Sequence, residues 1–170
     1  MDFWASERSQ VRTLQESLHE KTLIFSVFSV FDLGCYWLAF QMIPYPFLDA
    51  RNNSDSCKKF TDTPMWNSTL SERIGPMTAV DRSNPSYLYY SPVEAESFDG
   101  LPPAYIETAE FDCLHDDGIL YAKKLREAGI SVTLNETEGT MHGFDIMQKA
   151  PTTLKVLKER VSFMKKYFYQ

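Results

Sequence analysis

The C-terminal part of the sequence alternates between the patterns of strands and helices, and this order constrains the fold more than any other feature. Residues 104–109 have the length of a short strand and follow a Pro-Pro break, and residues 131–135 alternate between apolar and polar side chains. Both runs are typical of strands. A strand, helix, strand, helix order predicts parallel strands joined by crossover helices. We therefore predict an α/β fold with a mainly parallel sheet that is covered by helices.

Two helices are predicted between and after these strands. The first is expected to be capped by Asp116 or Asp117 and to end at Gly129, which favours the backbone conformation that follows a helix. The second is expected to be capped by Thr152 or Thr153. Its apolar residues recur at intervals of three and four, which is typical of a helix that buries one face: Leu154, Leu157, Val161, Met164 and Phe168.

Upstream of residue 104 the pattern is less regular. Residues 39–46 are typical of a strand that ends at Pro44 and Pro46. The chain from residue 48 to residue 103 is rich in Asp, Asn, Ser and Pro, and short helices are expected at residues 61–66 and 68–74. This region therefore predicts long connections with little regular structure.

Composition excludes several functional classes. The net charge of the 170 residues is −6 and the basic residues are scattered, whereas a nucleic-acid site or an anionic membrane surface would need a basic patch. Three cysteines, Cys35, Cys57 and Cys113, fit neither a disulfide framework nor a zinc site, which favours a reducing, cytoplasmic location. No cluster has the spacing of metal ligands, and no metal or cofactor is expected.

The N-terminal segment, residues 1–37, is left unassigned. It lacks the basic and apolar regions of a signal peptide. From residue 22 to residue 40 it is almost wholly apolar, with Asp32 as the one charged residue. The length of this run makes it a marginal candidate for a membrane span, but a charge near its middle is costly in a bilayer. A buried strand or helix is the favoured interpretation.

Asp112 and His142 are the candidate site residues. Each follows one of the two predicted strands, so both are expected at the carboxyl edge of the sheet, where functional groups of parallel sheets collect. There the carboxylate can accept a hydrogen bond from the imidazole, and the other ring nitrogen can act as a general base. The competing interpretation is a helix-capping aspartate and a polar surface histidine. His115 is expected to begin a helix, and His19 lies in a polar segment.

Six blocks of the sequence carry a family resemblance: FQMIPYPFLD at residues 40–49, SPV at 91–93, LPPAYI at 101–106, AEFDCLHDDG at 109–118, YAKKL at 121–125 and MHGF at 141–144. With these blocks in order, residues 38–170 resemble the C-terminal half of the hormone-sensitive-lipase-like esterases, the α/β-hydrolase fold-3 family. The resemblance implies a partial α/β-hydrolase domain. It also implies that Asp112 orients His142 in the hydrolysis of small carboxylic esters.

The sequence departs from this family in its nucleophile. The family carries a Gly-x-Ser-x-Gly elbow and a His-Gly-Gly-Gly-type oxyanion loop, and neither motif occurs in the 170 residues. The nearest imitation of the elbow centres on Cys35, but Leu33 and Trp37 occupy the positions where the turn needs glycine. No nucleophile is therefore assigned, and the chain is expected to be inactive alone. The abrupt loss of resemblance near Trp37 suggests a truncated or rearranged reading frame.

Three functional hypotheses follow. The first is the acid-and-histidine half of a serine-type carboxylesterase, with residues 101–105 and the region of Trp66 shaping the acyl pocket. The second is a non-catalytic remnant or interaction module with the same partial fold. The third is a membrane-associated protein anchored through residues 22–40. In addition, the strand at residues 39–46 is expected to present an unpaired edge, which favours self-association.

Overall fold

The computed structural model describes residues 38–78, 81–84 and 86–168. The apolar N-terminal segment, with Asp32 and Cys35, and His19 lie outside the described residues. The strand, helix or membrane alternatives for residues 22–37 therefore stay predictions. Within the described part, none of the helices is both long enough and apolar enough to cross a membrane.

Three parallel strands form the sheet in the order β1, β2, β3, as the strand and helix order predicts. The strands are β1 (Gln41–Pro44), β2 (Ala104–Phe111) and β3 (Val132–Met141). Ala104 of β2 is in register with Gln41 on one side and with Val132 on the other. β1 is shorter than predicted because Tyr45, directly after it, has a φ of 50°, which ends the extended conformation.

β3 extends six residues beyond its predicted end at residue 135. Its second half contains Glu136, Glu138 and Gly139, which break the alternating pattern of the first half. These residues stay in the sheet because β2 continues beside them, pairing Thr108 with Glu136 and Ala109 with Thr137. The backbone ladder, rather than side-chain burial, therefore sets the end of β3.

Five helices accompany the sheet in the described part of the chain: α1 (Asp55–Lys59), α2 (Ser68–Thr78), α3 (Tyr87–Tyr90), α4 (His115–Glu127) and α5 (Pro151–Phe168). Two short 3₁₀ turns lie at Pro92–Glu94 and Phe144–Ile146. The helix expected at residues 68–74 is confirmed as part of α2. The helix expected at 61–66 is wrong, because this stretch contains Pro64 and Met65 adopts a φ of 70°.

The predicted N-caps of α4 are also wrong. Leu114 occupies the cap position without a side-chain hydrogen bond, and Asp116 and Asp117 lie in the first turn. Their carboxylates instead hold the segment after β1. One Asp117 oxygen accepts from the backbone N–H groups of Leu48 and Asp49, both at 3.2 Å. At the other end of α4, Gly129 has the expected left-handed conformation, with a φ of 77°.

α5 begins at Pro151, before both threonines that were expected to cap it. Proline suits the first position of a helix because its missing N–H would have no partner there. The predicted apolar stripe of this helix is wrong as well. Leu154, Leu157 and Val161 are 47 %, 39 % and 43 % exposed. The face toward the sheet lies one residue earlier in the sequence: Thr153, Val156, Arg160 and Phe163.

The core occupies both faces of the sheet. On one face, Tyr121 and Leu125 of α4 pack against Ile43 and Ile106 of the strands. On the other face, Phe163 of α5 packs its ring 5.5 Å from that of Tyr105, the neighbour of Ile106 in β2. Consecutive strand residues point to opposite faces, so α4 and α5 cover opposite sides of the sheet. Both helices are therefore fixed relative to the carboxyl ends of β2 and β3.

Candidate active site

Asp112 and His142 lie side by side at the carboxyl edge of the sheet. β2 ends at Phe111 and β3 ends at Met141, so each residue directly follows its strand. Because the two strands are parallel neighbours, the two side chains meet. One carboxylate oxygen of Asp112 is 2.7 Å from Nδ1 of His142. The structure therefore brings together the two residues that the sequence placed at this edge.

The surroundings of Asp112 fix the direction of this hydrogen bond. The Asp112 side chain is 1 % exposed, and its other oxygen accepts from the backbone N–H of Leu114 at 3.0 Å. A carboxylate can only accept, so the neutral imidazole donates its Nδ1–H and keeps the lone pair on Nε2. No side chain in the described part of the chain hydrogen-bonds to Nε2, and the His142 side chain is 24 % exposed. The free nitrogen can therefore take up a proton.

The backbone after His142 turns sharply. Gly143 has a φ of 66°, a left-handed conformation that side chains with a Cβ disfavour. The turn continues as the 3₁₀ segment Phe144–Ile146, in which Phe144 is buried. The glycine next to His142 was the sequence signal for this loop, and the structure gives its conformational reason.

Two aromatic rings flank the imidazole. The ring of Tyr45, which follows β1, has its centroid 5.4 Å from that of His142, and the ring of Trp66 is 6.0 Å away. Burial, together with the charge of Glu107, raises the pKa of Tyr45, so its hydroxyl stays protonated. Sequence reasoning placed Trp66 near the site but missed Tyr45, whose position depends on the left-handed backbone after β1.

Residues 101–105 do not contribute to this site, contrary to expectation. They lie at and before the start of β2, at the opposite end of the strand from Asp112. Leu101 belongs to the core under α4, and the Tyr105 hydroxyl donates to Glu107 at 2.8 Å. The Pro-Pro break marks where this strand starts, and functional groups of parallel sheets collect where strands end.

A groove of about 440 Å³ lies beside the His142 loop. Its lining is mostly apolar and includes Pro64, Phe111, Met141, Phe144 and Met147. Phe111 and Met147 are among the exposed large hydrophobic residues of the chain. The groove therefore places apolar surface next to the acid–histidine pair.

Two buried thiols lie behind Asp112. Cys57 of α1 donates to the backbone oxygen of Cys113 at 3.3 Å, and both cysteines are free. A hydrogen bond from the Cys113 thiol stabilises the Cys57 thiolate and lowers the pKa of Cys57 to about 7. This contact joins α1 to the loop that carries Asp112, and no spacing in the sequence indicated it.

His115 does not join the pair. It is the first residue of α4, as predicted, and its Nδ1 lies 3.0 Å from Asp116. Within the residues described by the structure, no group of three or more His, Cys, Asp or Glu side chains is arranged to hold a metal ion.

A parallel sheet that carries an aspartate and a histidine on neighbouring strand ends defines the α/β-hydrolase class. A family model described as the alpha/beta hydrolase fold matches residues 12–146. The chain belongs to this family, the hormone-sensitive-lipase-like group of α/β hydrolases. The match begins at residue 12, within the segment that the sequence analysis left unassigned, so the boundary at residue 37 stays a prediction.

Curated relatives are hydrolases of esters by name. The chain is 45% identical over 73 residues to neutral cholesterol ester hydrolase 1 of Mus musculus, covering 42% of this chain and 18% of that protein. It is 34% identical over 117 residues to carboxylesterase NlhH of Mycobacterium tuberculosis, covering 66% of this chain and 36% of that protein. The matched residues therefore span a little over a third of the bacterial relative's length and less than a fifth of the mouse relative's.

Solved structures of an esterase and of an α/β hydrolase match a larger share of the chain. A bacterial heroin esterase superimposes with a TM-score of 0.73 and 32% identity, covering 82% of this chain and 45% of that chain. An α/β hydrolase from the metagenome of Lake Arreo gives a TM-score of 0.75 and 32% identity, covering 86% and 47%. The chain spans less than half of each of these relatives.

Proposed function

We propose that this chain supplies the general base and its orienting acid for the hydrolysis of small carboxylic esters. The observation that carries the proposal is the 2.7 Å contact between Asp112 and Nδ1 of His142, which leaves Nε2 with a free lone pair. The family and its esterase relatives supply the reaction class. Asp112 and His142 have these roles in the proposal, and no cofactor takes part.

The proposed reaction runs through two proton transfers at Nε2. This nitrogen takes the proton of a serine hydroxyl as the oxygen attacks the ester carbonyl, and it then gives that proton to the departing alkoxide. Asp112 stabilises the imidazolium that exists between the two transfers. Water then attacks the acyl-serine by the same two transfers, which releases the acid and regenerates the hydroxyl.

The proposed reaction needs a serine nucleophile, and no serine among these 170 residues has the sequence context of one. The sequence has no Gly-x-Ser-x-Gly motif and no His-Gly-Gly-Gly-type loop. An acid and a histidine without a nucleophile give little turnover, because members of a triad act as a unit. We therefore expect the chain alone to hydrolyse p-nitrophenyl acetate no faster than its His142→Ala variant. Activity that disappears in that variant would contradict this expectation.

A chimera tests the positive part of the proposal. The upstream half of the Mycobacterium tuberculosis carboxylesterase would be fused to residues 38–170 of this chain. We expect a folded chimera to hydrolyse p-nitrophenyl butyrate, and His142→Ala or Asp112→Ala to lower kcat by roughly a thousandfold or more. A chimera that unfolds in one cooperative transition but lacks His142-dependent activity would support the alternative of a non-catalytic module.

The substrate side of the proposal concerns Trp66 and the adjacent groove. We propose that the groove beside the His142 loop receives the acyl group. We also propose that Trp66, which lies outside this lining with its ring 6.0 Å from that of His142, contacts the substrate beside the imidazole. In the chimera, Trp66→Ala should then change the ratio of kcat/KM between acetate and octanoate esters. Leu88→Ala, which changes an exposed residue of α3, is the control variant in the same chimera. An unchanged ratio in the Trp66 variant would contradict the assignment.

We further propose self-association through β1 and a cytoplasmic location. In the described residues, β1 pairs with β2 on one side and with no strand on the other, and an unpaired edge is a template for further pairing. The free thiols of Cys57 and Cys113 support a reducing compartment. Light scattering during size-exclusion chromatography should show a mass that rises with concentration, and a sharp monomer peak at all concentrations would contradict self-association.

A further inference from the structure

Arg160 of α5 connects three separate elements around the His142 loop. Its guanidinium binds Glu107 of β2, Asp145 of the turn after β3 and the hydroxyl of Tyr45 after β1. The Arg160 side chain is 13 % exposed and that of Glu107 is fully buried. Sequence periodicity predicted that Val161 would face the sheet, but Arg160 faces it instead. A charged residue on the buried face of a helix requires an explanation.

The geometry of these contacts uses the whole guanidinium fork. Nε and Nη2 of Arg160 donate to the two oxygens of Glu107 at 3.2 and 2.6 Å. Nη1 remains for Asp145, at 2.8 Å. A lysine carries a single ammonium and cannot reproduce this planar, two-sided arrangement. The bidentate pair with Glu107 therefore fixes the position from which Arg160 reaches Asp145.

Both remaining partners of Arg160 touch the imidazole or the turn that carries it. Asp145 follows His142 by three residues, in the 3₁₀ turn Phe144–Ile146. Tyr45 accepts from Nη2 of Arg160 at 3.1 Å, and its ring contacts both His142 and Phe144, at 5.4 and 5.6 Å between centroids. One guanidinium thus holds the turn on one side of His142 and the aromatic ring against the imidazole.

We propose that Arg160 is a positioning residue that keeps His142 in the orientation in which Nδ1 faces Asp112. It acts through Asp145 and Tyr45 and does not itself contact the reacting atoms. Its importance for catalysis rests on the proposed function, whereas its effect on the imidazole is a property of the chain alone. Loss of the contacts that Arg160 makes with Asp145 and Tyr45 should let the imidazole of His142 move while β2 and β3 stay paired.

The decisive variant is Asp145→Ala, because Asp145 is only half-buried and its removal leaves the pair between Arg160 and Glu107 intact. Proton and ¹⁵N spectra of the full chain, labelled at histidine, report the Nδ1–H tautomer and the exchange of this proton with water. We expect exchange to become at least about fivefold faster, the effect of losing one ordinary hydrogen bond. Asp145→Asn should restore part of the protection, because its amide oxygen still accepts from Nη1.

Lys155→Met is the matched control on the same helix. Lys155 is exposed and its nitrogen is 3.9 Å from Glu159, so the change should leave the His142 signals as in the wild-type chain. A folded Arg160→Lys variant should show the same faster exchange as Asp145→Ala. If Arg160→Lys does not fold, Asp145→Ala alone tests the positioning role. Wild-type tautomer and exchange rate in folded Asp145→Ala would overturn the proposal. The spectra need no substrate, so an inactive chimera would refute the proposed function without changing this result.

Discussion

Glu107 and Asp112 lie five residues apart along the same stretch of chain, and each faces a basic side chain, but the two pairs differ in what surrounds them. Both oxygens of Glu107 accept from Arg160, and one also accepts from Tyr105. One oxygen of Asp112 accepts a hydrogen bond from the backbone N–H of Leu114, and the other accepts from Nδ1 of His142. The carboxylate of the first pair is saturated with donors, whereas in the second pair Nε2 of His142 has no hydrogen-bond partner in the part of the chain that the structure describes.

The difference separates a pair whose basic group is fully hydrogen-bonded from a pair whose basic group keeps one ring nitrogen without a partner among the described residues. Arginine stays protonated at all relevant pH values. Desolvation by burial acts to lower the pKa of Arg160, but its hydrogen bonds to Glu107 and Asp145 outweigh this effect and raise the pKa. An imidazole can take up or release a proton at a ring nitrogen, and Nε2 of His142 accepts no hydrogen bond from the described residues. An acid–base pair can therefore take part in proton transfer only where its base is titratable and incompletely bonded.

The largest effect is expected from breaking the buried pair. Glu107→Gln should lower the free energy of unfolding by about 3 kcal/mol, because it leaves Arg160 with half-buried Asp145 as its remaining charged partner. Chemical denaturation monitored by circular dichroism measures the change. The double variant Glu107→Met with Arg160→Met should recover part of the loss, since it leaves no unpaired charge at this position. A single variant as stable as the wild-type chain would show that the pair is not structural.

A smaller effect on stability, but a complete change in chemistry, is expected at Asp112. Asp112→Asn should cost about 1 kcal/mol, since the amide oxygen can still accept from Leu114. Its NH₂ group would then face Nδ1 of His142, which should move the ring proton to Nε2 and remove the free lone pair. Histidine ¹⁵N shifts distinguish the two tautomers. An unchanged tautomer would mean that Asp112 does not direct the proton.

The smallest effect is expected at Asp117, a third buried acid, which faces backbone N–H groups rather than a cationic side chain. Burial raises the pKa of Asp117 well above its ordinary value, and the two N–H groups only partly oppose this. A raised folded-state pKa means that the group's contribution to stability is present at pH values below the unfolded-state pKa. It is lost as the pH rises through the folded-state value.

Asp117→Asn keeps an oxygen for both N–H groups and removes the ionisation. The wild-type chain should therefore lose stability relative to this variant as the pH is raised from about 4 toward neutrality. Thermal unfolding midpoints of the two proteins across this range measure the difference, with Asp99→Asn on the exposed surface as the control. Parallel pH profiles for wild type and Asp117→Asn would contradict the expected effect of burial.

The sequence determined the order of the C-terminal strands and helices and the position of both site residues. The short segment 104–109 after the Pro-Pro break and the alternation at residues 131–135 are local signals, and the parallel arrangement follows from the helix between them. Parallel strands end at the same edge, so Asp112 and His142 had to lie near each other once both strands had formed. Local pattern and chain connectivity were sufficient for this part of the site.

Tertiary structure alone decided which face of α5 is buried and what surrounds His142. Hydrophobic periodicity favoured Leu154, Leu157 and Val161, but the buried face carries Arg160, whose charge is balanced there by the carboxylates of Glu107 and Asp145. Tyr45 reaches the imidazole through a left-handed backbone conformation and lies more than a hundred residues from Arg160, its hydrogen-bond donor. The energy of burying a charge or of straining a backbone depends on distant partners, and a local sequence pattern does not contain them.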